Sequence, residues 1–263
     1  MIDLHSHILP GIDDGCADIA ESLAFARATA ADGVRGIIAT PHSAEVLEQG
    51  LTTAVLQGRV AHLNSLLNSE GIPLEVYPGC EVFAEPDSPG KLKNGRLTTL
   101  NLGRYVLLEP PMQGLPLYFD SLIFELQTAG FIPILAHPER NSDVLAQPEK
   151  LLTWIQRGAM AQVTSASLLG GFGRQVQQVA RRMVKQRWVQ ILSSDAHGAD
   201  VRSPQTRLAR AEVVALIGEE GAQLMTVDVP TGVLQNEFTR FPPPEETVQA
   251  RSFFGRIFRS RDG

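Results

Sequence analysis

Residues 1–7, MIDLHSH, join a short apolar run to two histidines, and this arrangement recurs along the chain. The later runs are VRGIIA, LEVYP, FIPILA and WVQIL, and the ligand-type residues that follow them are His42, Glu81, His137, Asp195 and His197. Side chains at the carboxyl ends of neighbouring parallel strands converge in space even when they are distant in sequence. Imidazole and carboxylate groups together are typical of sites for borderline divalent metals. The sequence therefore predicts a metal site built from several strand ends.

The order of the predicted elements favours an α/β barrel. Further strands are predicted at 34–39, 74–82, 104–108, 131–136, 159–164 and 188–193, and helices at 18–32, 44–69, 116–129, 148–157, 174–187 and 204–219. The apolar run at 223–229 is expected to form an eighth strand or an edge. Repeated units with parallel strands indicate a doubly wound sheet or a barrel, and only a barrel draws site residues from many strand ends.

Several predicted helices have clear end signals. Asp18 with Glu21 three positions later resembles a capping box at the start of the first helix. Glycines at positions 33, 71 and 130 are expected to end helices.

Nine side chains make up the predicted metal site. His5 and His7 lie two positions apart in a strand, so both point to the same face. The loop GIDDG at 11–15 brings Asp13 or Asp14 over the same mouth, and Glu81 is placed to bridge two ions. The set is completed by His42, Glu109 before Pro110 and Pro111, His137, Asp195 and His197. Because nine ligands exceed the roughly three or four protein ligands of one catalytic ion, we expect two or three ions.

Two arginines indicate the substrate. Arg140 follows His137 by three residues, in the predicted rim loop, and Arg207 lies near the start of a predicted helix. Guanidinium groups bind phosphate oxygens in a bidentate manner. A metal cluster beside such arginines favours hydrolysis of a phosphomonoester over hydrolysis of an amide. The alternative for Arg207 is an ion pair on the helix surface.

Composition and charge argue against several classes of protein. The 263 residues carry a formal charge of −6, and outside a basic tail the chain is more acidic still, which disfavours nucleic acid as a partner. No apolar run approaches the roughly 18 residues of a transmembrane segment, and MIDLHSH does not resemble a signal peptide, so a cytoplasmic location is expected. Cys16 and Cys80 lack the arginine six positions later that a thiol-dependent phosphatase needs, and both are expected to pack in the interior.

The C-terminal region is expected to differ from the body at 1–240. Residues 241–250 contain three consecutive prolines and are predicted to be a linker. Within 241–263, the apolar residues of the last stretch have helical spacing with arginines between them. Such a helix would either pack on the outside of the barrel or contact a partner or an anionic membrane surface, and a disordered tail is the third alternative.

Five motifs resemble the PHP (polymerase and histidinol phosphatase) superfamily over roughly residues 1–220. They are MIDLHSHILPGIDDG, IIATPH, LLEPP, LAHPER and LSSDAH. Within the superfamily they resemble the CpsB/CapC-type manganese-dependent protein-tyrosine phosphatases of bacterial capsule and exopolysaccharide operons. The resemblance implies a distorted (β/α)7 barrel with a trinuclear site. It also implies a phosphotyrosine-bearing substrate, the tail of a bacterial tyrosine autokinase.

The resemblance implies a division of the ligands among three ions. His5, His7, Glu81 and Asp195 would hold the first, and His42 and His137 would join Glu81 at the second. Asp14, Glu109 and His197 would either serve the third or support the residues around it. Manganese is the expected metal, with iron, zinc, cobalt and magnesium as alternatives. Arg140 and Arg207 would bind the phosphate.

Two other functions stay open from the sequence. One is a small-molecule phosphomonoesterase, for which histidinol phosphate is the substrate to test. The other is a regulatory scaffold that binds phosphotyrosine without hydrolysing it. A homo-oligomer formed through the barrel helices is a further expectation that the resemblance raises.

Overall fold

The computed structural model describes residues 1–200 and 202–244, in which eight strands form two parallel sheets. The strands are β1 (Ile2–Ser6), β2 (Gly36–Ala39), β3 (Glu75–Pro78), β4 (Glu81–Phe83), β5 (Tyr105–Glu109), β6 (Ile132–Ala136), β7 (Met160–Thr164) and β8 (Ile191–Ser193). One sheet has the order β1-β2-β3 and the other the order β4-β5-β6-β7-β8, and every pairing is parallel. The predicted α/β architecture with parallel strands is confirmed.

Two isolated parallel bridges join the sheets at both of their borders. His42 pairs with Glu81 on one side, and Ser6 pairs with Ala196 on the other. The predicted strand 74–82 is divided into β3 and β4 at Gly79, where a Cβ atom would come within 2.6 Å of a side-chain methyl carbon of Ile38. The chain therefore bends at a residue that has no side chain to collide with its neighbour.

Eleven α-helices alternate with the strands in the described part of the chain. They are α1 (Ile19–Ala31), α2 (Ser43–Glu48), α3 (Thr53–Ser69), α4 (Ser88–Lys93), α5 (Phe119–Thr128), α6 (Ser142–Ala146), α7 (Lys150–Gln156), α8 (Ser165–Leu169), α9 (Arg174–Lys185), α10 (Thr206–Gln223) and α11 (Val229–Leu234). Two 3-10 turns, Leu100–Leu102 and Pro138–Arg140, and a π-helical segment, Leu224–Asp228, complete the list. None of the described helices is both long and apolar enough to cross a bilayer.

The helix end signals are confirmed. The Asp18 carboxylate accepts a hydrogen bond from the Glu21 backbone N–H at 3.0 Å, while the Glu21 carboxylate accepts from the N–H of Ala17, one residue before the cap. Glycines 33, 71 and 130 follow α1, α3 and α5 with φ of 95°, 63° and 90°, values that a Cβ atom disfavours.

Two predicted elements are wrong in the structure. The predicted helix 44–69 is two helices, because Gly50 adopts a φ of 63° after α2 and Thr52 caps α3. The predicted strand or edge at 223–229 is helical, and the Thr226 hydroxyl donates to the Ala222 carbonyl one turn earlier. Buried Met225 and Val229 are four residues apart, so the segment packs through one helical face.

The core consists of two apolar clusters on either side of the strands. The larger lies between the strands and the surrounding helices and includes Phe25, Leu56, Leu126 and Trp188. The smaller combines strand residues such as Leu4, Ile38, Leu107 and Ile134 with Val229 and Val233 of α11. Phe241 packs against both clusters, one residue beyond the predicted end of the body at 240. Most of the predicted tail, 245–263, lies outside the described residues.

Candidate metal centre

Four of the predicted ligands form a buried inner group around Glu81. The Glu81 carboxylate lies 3.2 Å from His5 Nε2 and 2.9 Å from His137 Nε2, and Asp195 lies 3.4 Å from the same His5 nitrogen. All four side chains are at most 3% exposed. His7 joins them, with Nε2 3.6 Å from both Glu81 and Asp195. Strand ends that are far apart in the sequence therefore meet, as the sequence predicted.

The strands place these side chains for simple geometric reasons. His5 and His7 lie two positions apart at the end of β1, so both point inward. The segment after β8 continues beside β1, since the Asp195 N–H donates to the His5 carbonyl and the His7 N–H donates to the Ala196 carbonyl. His137 and Asp195 both have positive φ, 31° and 51°, which is strained for residues with a side chain. Such strain immediately after a strand is typical of functional sites.

A more exposed outer group completes the set. Asp14, 61% exposed, lies 3.1 Å from His197 Nε2 and 3.5 Å from His42 Nε2. Glu109 lies 3.7 Å from His42 Nδ1, whereas the ligand sets implied by the resemblance placed it with Asp14 and His197. The structure thus brings all nine predicted side chains into one continuous cluster with a buried side and a solvent side.

Three groups in this cluster have ligand atoms close enough together to share an ion. The groups are His5, His7 and Glu81; His7, Asp14, His42 and His197; and His42, Glu81 and Glu109. His7, His42 and Glu81 each belong to two groups. A carboxylate or imidazole that neighbours two groups is what a polynuclear centre requires.

Three acceptors next to the candidate ligands orient the imidazole rings: Asp13, which the sequence left as the alternative to Asp14, and Gln162 and the Asp195 carbonyl, which the sequence did not single out. Asp13 accepts from His7 Nδ1 at 2.7 Å and from the His42 N–H at 3.0 Å, so it supports two candidate ligands, while Asp14 lies in a candidate ligand group. Buried Gln162 of β7 lies with its Oε1 3.2 Å from His5 Nδ1. His197 Nδ1 lies 3.0 Å from the Asp195 carbonyl. When Nδ1 donates in this way, Nε2 carries the lone pair and faces the centre, as in metal-ligating histidines.

The contacts inside the cluster fit the binding of cations. Glu81 Oε2 is buried and has no partner in hydrogen-bond geometry, although His42 Nδ1 and His5 Nε2 lie 3.0 and 3.2 Å away. His5 Nε2 and His7 Nε2 face each other at 3.4 Å. A buried carboxylate oxygen beside converging ring nitrogens needs positive charge nearby, and divalent metals with nitrogen and oxygen ligands fit this donor set.

The electrostatics of the metal-free cluster point the same way. Burial by itself disfavours charge, but the positive charge on His5 and a hydrogen bond from His137 hold the pKa of Glu81 well below its usual range. For His7, burial is outweighed by the carboxylates of Asp13 and Asp195, which raise its pKa to about 9. The pKa of His42 is raised to about 11, against burial, by Glu109 and Glu81. In the metal-free protein, positive charge on the imidazoles thus balances the carboxylates, as bound cations would.

His197 behaves in the opposite way. Its burial and the neighbouring positive groups His7 and Arg202 lower its pKa to about 3. A neutral imidazole at this position is ready to act as a ligand without losing a proton.

One of the two predicted arginines reaches the cluster. Arg140 lies in the 3-10 turn after β6, and its Nη1 is 2.5 Å from Asp195 Oδ2. Arg207 does not reach the cluster: its side chain is 75% exposed, and its N–H donates to Asp32 at the end of α1. Gly33, the next residue, accepts from the N-terminus of Met1, which places Arg207 at the opposite end of the strands.

Arg202 occupies the place predicted for Arg207. Its Nη2 lies 3.0 Å from both carboxylate oxygens of Asp195, and its Nη1 lies 2.7 Å from His197 Nε2 and 3.6 Å from Asp14. A cleft of about 490 Å³ opens beside these residues. Arg202 follows His197 by five residues, which was the available signal in the sequence. The sequence does not show whether Arg202 or Arg207 turns inward.

Known proteins match this chain over nearly its full length. The family model described as capsular polysaccharide synthesis, CpsB/CapC, matches residues 1–235. The tyrosine-protein phosphatase YwqE of Bacillus subtilis is 37% identical over 255 residues, covering 97% of this chain and 99% of that protein. The tyrosine-protein phosphatase CpsB of Streptococcus pneumoniae is 27% identical over 246 residues, covering 90% of this chain and 99% of that protein.

A solved structure is also similar over nearly the whole chain. It reports YwqE from Bacillus subtilis and CpsB from Streptococcus pneumoniae as unique metal-dependent tyrosine phosphatases. It superposes with a TM-score of 0.87 at 35% identity, covering 93% of this chain and 98% of that chain.

Proposed function

Because this chain belongs to the CpsB/CapC family, we propose that it is a metal-dependent protein-tyrosine phosphatase. The observation that carries the proposal is the convergence of nine histidine and carboxylate side chains with Arg140 and Arg202 at one open end of the strands. The relatives whose names state this activity match over nearly the full length of both chains.

The three overlapping ligand groups support a centre of three ions, and manganese is the metal that we propose. Bound divalent ions would supply Lewis-acid stabilisation of the charge that develops on a phosphoryl group. We further propose that the two sheets act as one seven-position barrel, with β3 and β4 counted as a single position.

We infer that the arginines hold the phosphate from two sides. Arg140 and Arg202 both contact Asp195, from different loops, so their guanidinium groups flank the same carboxylate. Planar guanidinium groups donate in pairs to phosphate oxygens and orient the ester for attack. The phenol of tyrosine has a pKa of about 10, so its oxygen departs with less need for a proton than an alcohol would have.

Exposure on the outer side supports a protein substrate. Asp14 is 61% exposed, His42 27% and Arg202 34%, so the mouth of the site is open to a phosphotyrosine on a protein surface. The substrate that we propose is the tail of a bacterial tyrosine autokinase in polysaccharide export, with the reaction in the cytoplasm. Buried free thiols at Cys16 and Cys80 suit a reducing compartment. Assembly into a homo-oligomer stays a prediction, to be measured by light scattering.

Phosphate release tests the proposal. A tyrosine-phosphorylated peptide and histidinol phosphate are supplied side by side, with added manganese and after chelation. We expect manganese-dependent hydrolysis with preference for the peptide. Preference for histidinol phosphate would assign the protein to small-molecule metabolism, and binding of the peptide without release of phosphate would support the scaffold.

A carboxylate pair provides the matched variants for this assay. Glu81→Gln keeps the shape of the buried bridging residue but removes its charge, so we expect loss of bound metal and at least about a 100-fold loss of activity. Glu85→Gln changes an acid that is 47% exposed and pairs with Lys91, and it should leave both quantities unchanged. Metal content by mass spectrometry and activity by phosphate release are measured on both variants.

A further inference from the structure

The loop Gly170–Gly173 carries an aromatic side chain to the rim of the metal centre. It connects α8 and α9, which follow β7, and its sequence is GGFG. The guanidinium carbon of Arg140 lies 4.4 Å from the centre of the Phe172 ring, which is the distance of a cation–π contact. Phe172 remains 36% exposed, and within the described residues it is part of neither apolar cluster. Packing in the core therefore does not explain it.

The surrounding contacts hold this ring in place. Gly170 and Gly173 both have a φ of 91°, a conformation that turns the chain sharply on each side of Phe172. Gln177 of α9 donates to the Leu168 carbonyl at 3.0 Å and so ties the two helices together. The loop thus presents Phe172 from a braced position.

The turn that carries Arg140 is hydrogen-bonded to β7, the strand that precedes the loop of Phe172. Glu139 is fully buried and accepts from the Thr164 N–H, at the end of β7, at 3.0 Å. The turn of Arg140 and the loop of Phe172 are therefore both positioned by β7, so the packed strands fix how the two side chains face each other.

The Arg140 guanidinium has two different neighbours. The Nη1 edge of the Arg140 guanidinium lies against Asp195, which lies 3.4 Å from His5 in the buried group, while its central carbon lies over the Phe172 ring. A phosphate on the remaining edge of Arg140 would lie next to Phe172, and an ester substituent that extends along the rim would contact this ring. An aromatic substituent gains an aromatic contact there, whereas a small alkyl substituent does not.

We propose that Phe172 is a specificity-determining residue that favours aryl phosphates over alkyl phosphates at this metal centre. The inference rests on the proposed function and deepens it, since it assigns the recognition of the phenyl ring to one side chain. It concerns binding of the phenyl group, and so it is testable apart from turnover.

Calorimetry on the manganese-loaded full chain tests this with two phosphonates that are not hydrolysed, phenylphosphonate and methylphosphonate. We expect wild-type protein to bind phenylphosphonate more tightly. Phe172→Leu keeps an apolar side chain but should weaken phenylphosphonate roughly 3- to 10-fold, with methylphosphonate changed by less than about twofold. Phe172→Tyr should retain the wild-type preference. Phe124→Leu, at an exposed phenylalanine of α5, is the matched control and should change neither affinity.

Three results would overturn the inference. One is an unchanged preference in Phe172→Leu, and another is an equal loss of both ligands, which would mean that Phe172 acts only through Arg140 or through the fold. Absence of a phenyl preference in the wild-type protein is the third. Thermal melting of each variant verifies that it is folded. If wild-type protein shows the preference yet releases no phosphate from a phosphotyrosine peptide, the proposed reaction fails while the assignment of Phe172 stands.

Discussion

Replacing Arg202 by alanine tests whether Arg202, as we propose from the structure, or Arg207, as the sequence favoured, binds the phosphate. Arg202 contacts Asp195 and His197 at the mouth of the site, whereas Arg207 projects into solvent at the other end of the strands. We therefore expect Arg202→Ala to lose activity and Arg207→Ala to retain it. The two variants remove the same side chain within one short stretch of sequence, so each is a control for the other.

The size of the loss follows from the position of the charge. A guanidinium about 4 Å from a phosphate charge contributes about 4 kcal/mol at an effective dielectric constant of about 20. Because 34% of the Arg202 side chain is exposed, solvent screening reduces this by about half, to about 2 kcal/mol. That corresponds to roughly a 30-fold loss in kcat/KM. Loss of the pairing to Asp195 acts in the same direction, and removing one preorganised donor in other enzymes costs about 100- to 1000-fold.

Initial rates with a tyrosine-phosphorylated peptide, at saturating manganese and matched metal content, provide the measurement. We expect kcat/KM of Arg202→Ala to fall between about 30-fold and 1000-fold, and that of Arg207→Ala to stay within about twofold. The reasoning is refuted if Arg202→Ala keeps more than about a third of the wild-type value. An equal loss in both variants would refute it as well, since a side chain in solvent at the other end of the strands cannot bind the phosphate.

Other consequences of the structure are open to direct measurement. A Cβ atom at Gly15 would lie 2.1 Å from the His7 carbonyl oxygen, so Gly15→Ala should lose about 2–4 kcal/mol of unfolding free energy. Gly58 lies in open space within α3, so Gly58→Ala should gain up to about 1 kcal/mol. Denaturant unfolding measures both changes. In the metal-free protein the raised pKa values of His7 and His42, about 9 and about 11, stabilise the fold fully below the unfolded value of about 6.5. The unfolding free energy should therefore decline as the pH rises from about 6.5 through 9 and 11. Manganese should bind more tightly with rising pH and release protons to the buffer, which titration calorimetry detects. A pH-independent affinity would contradict this. Burial raises the pKa of the Cys80 thiol, so a disulfide reagent at pH 8 should react with it only after unfolding, and rapid labelling of native protein would show that the packing is wrong.

The approximate position of the candidate metal ligands could be predicted because it depends on local rules. Alternation in a strand places His5 and His7 on one face, and parallel strands bring their carboxyl ends to one edge. A strand followed at once by a histidine or carboxylate is visible in the sequence, and each such residue reaches the cluster. No long-range information was needed beyond the order of strands and helices.

The supporting residues could not be predicted in the same way. Asp13 and Asp14 are adjacent and chemically identical, yet one supports two histidines and the other lies in the ligand group. Gln162 is a polar residue inside a strand, and only the proximity of His5 reveals its purpose. These roles depend on the direction in which each side chain points and on the atoms it reaches, which composition and spacing do not encode.

The length of helices and strands was predictable where a backbone signal ends them and not where packing does. The cap at Asp18 and the glycine at 33 are local signals, whereas the segment 223–229 is helical because its buried face must fit against the strands. Its apolar residues are compatible with either period, so burial decides between strand and helix.

By itself, the sequence determined that this protein has an α/β fold with parallel strands and that histidines and carboxylates collect at their carboxyl ends. Both follow from short-range periodicity and from the repeated order of elements. Only the tertiary structure decided that Arg202 rather than Arg207 turns toward the cluster, and that Phe172 covers Arg140. Loop conformation sets these contacts, and a loop is positioned by the whole of the packed body rather than by its own few residues.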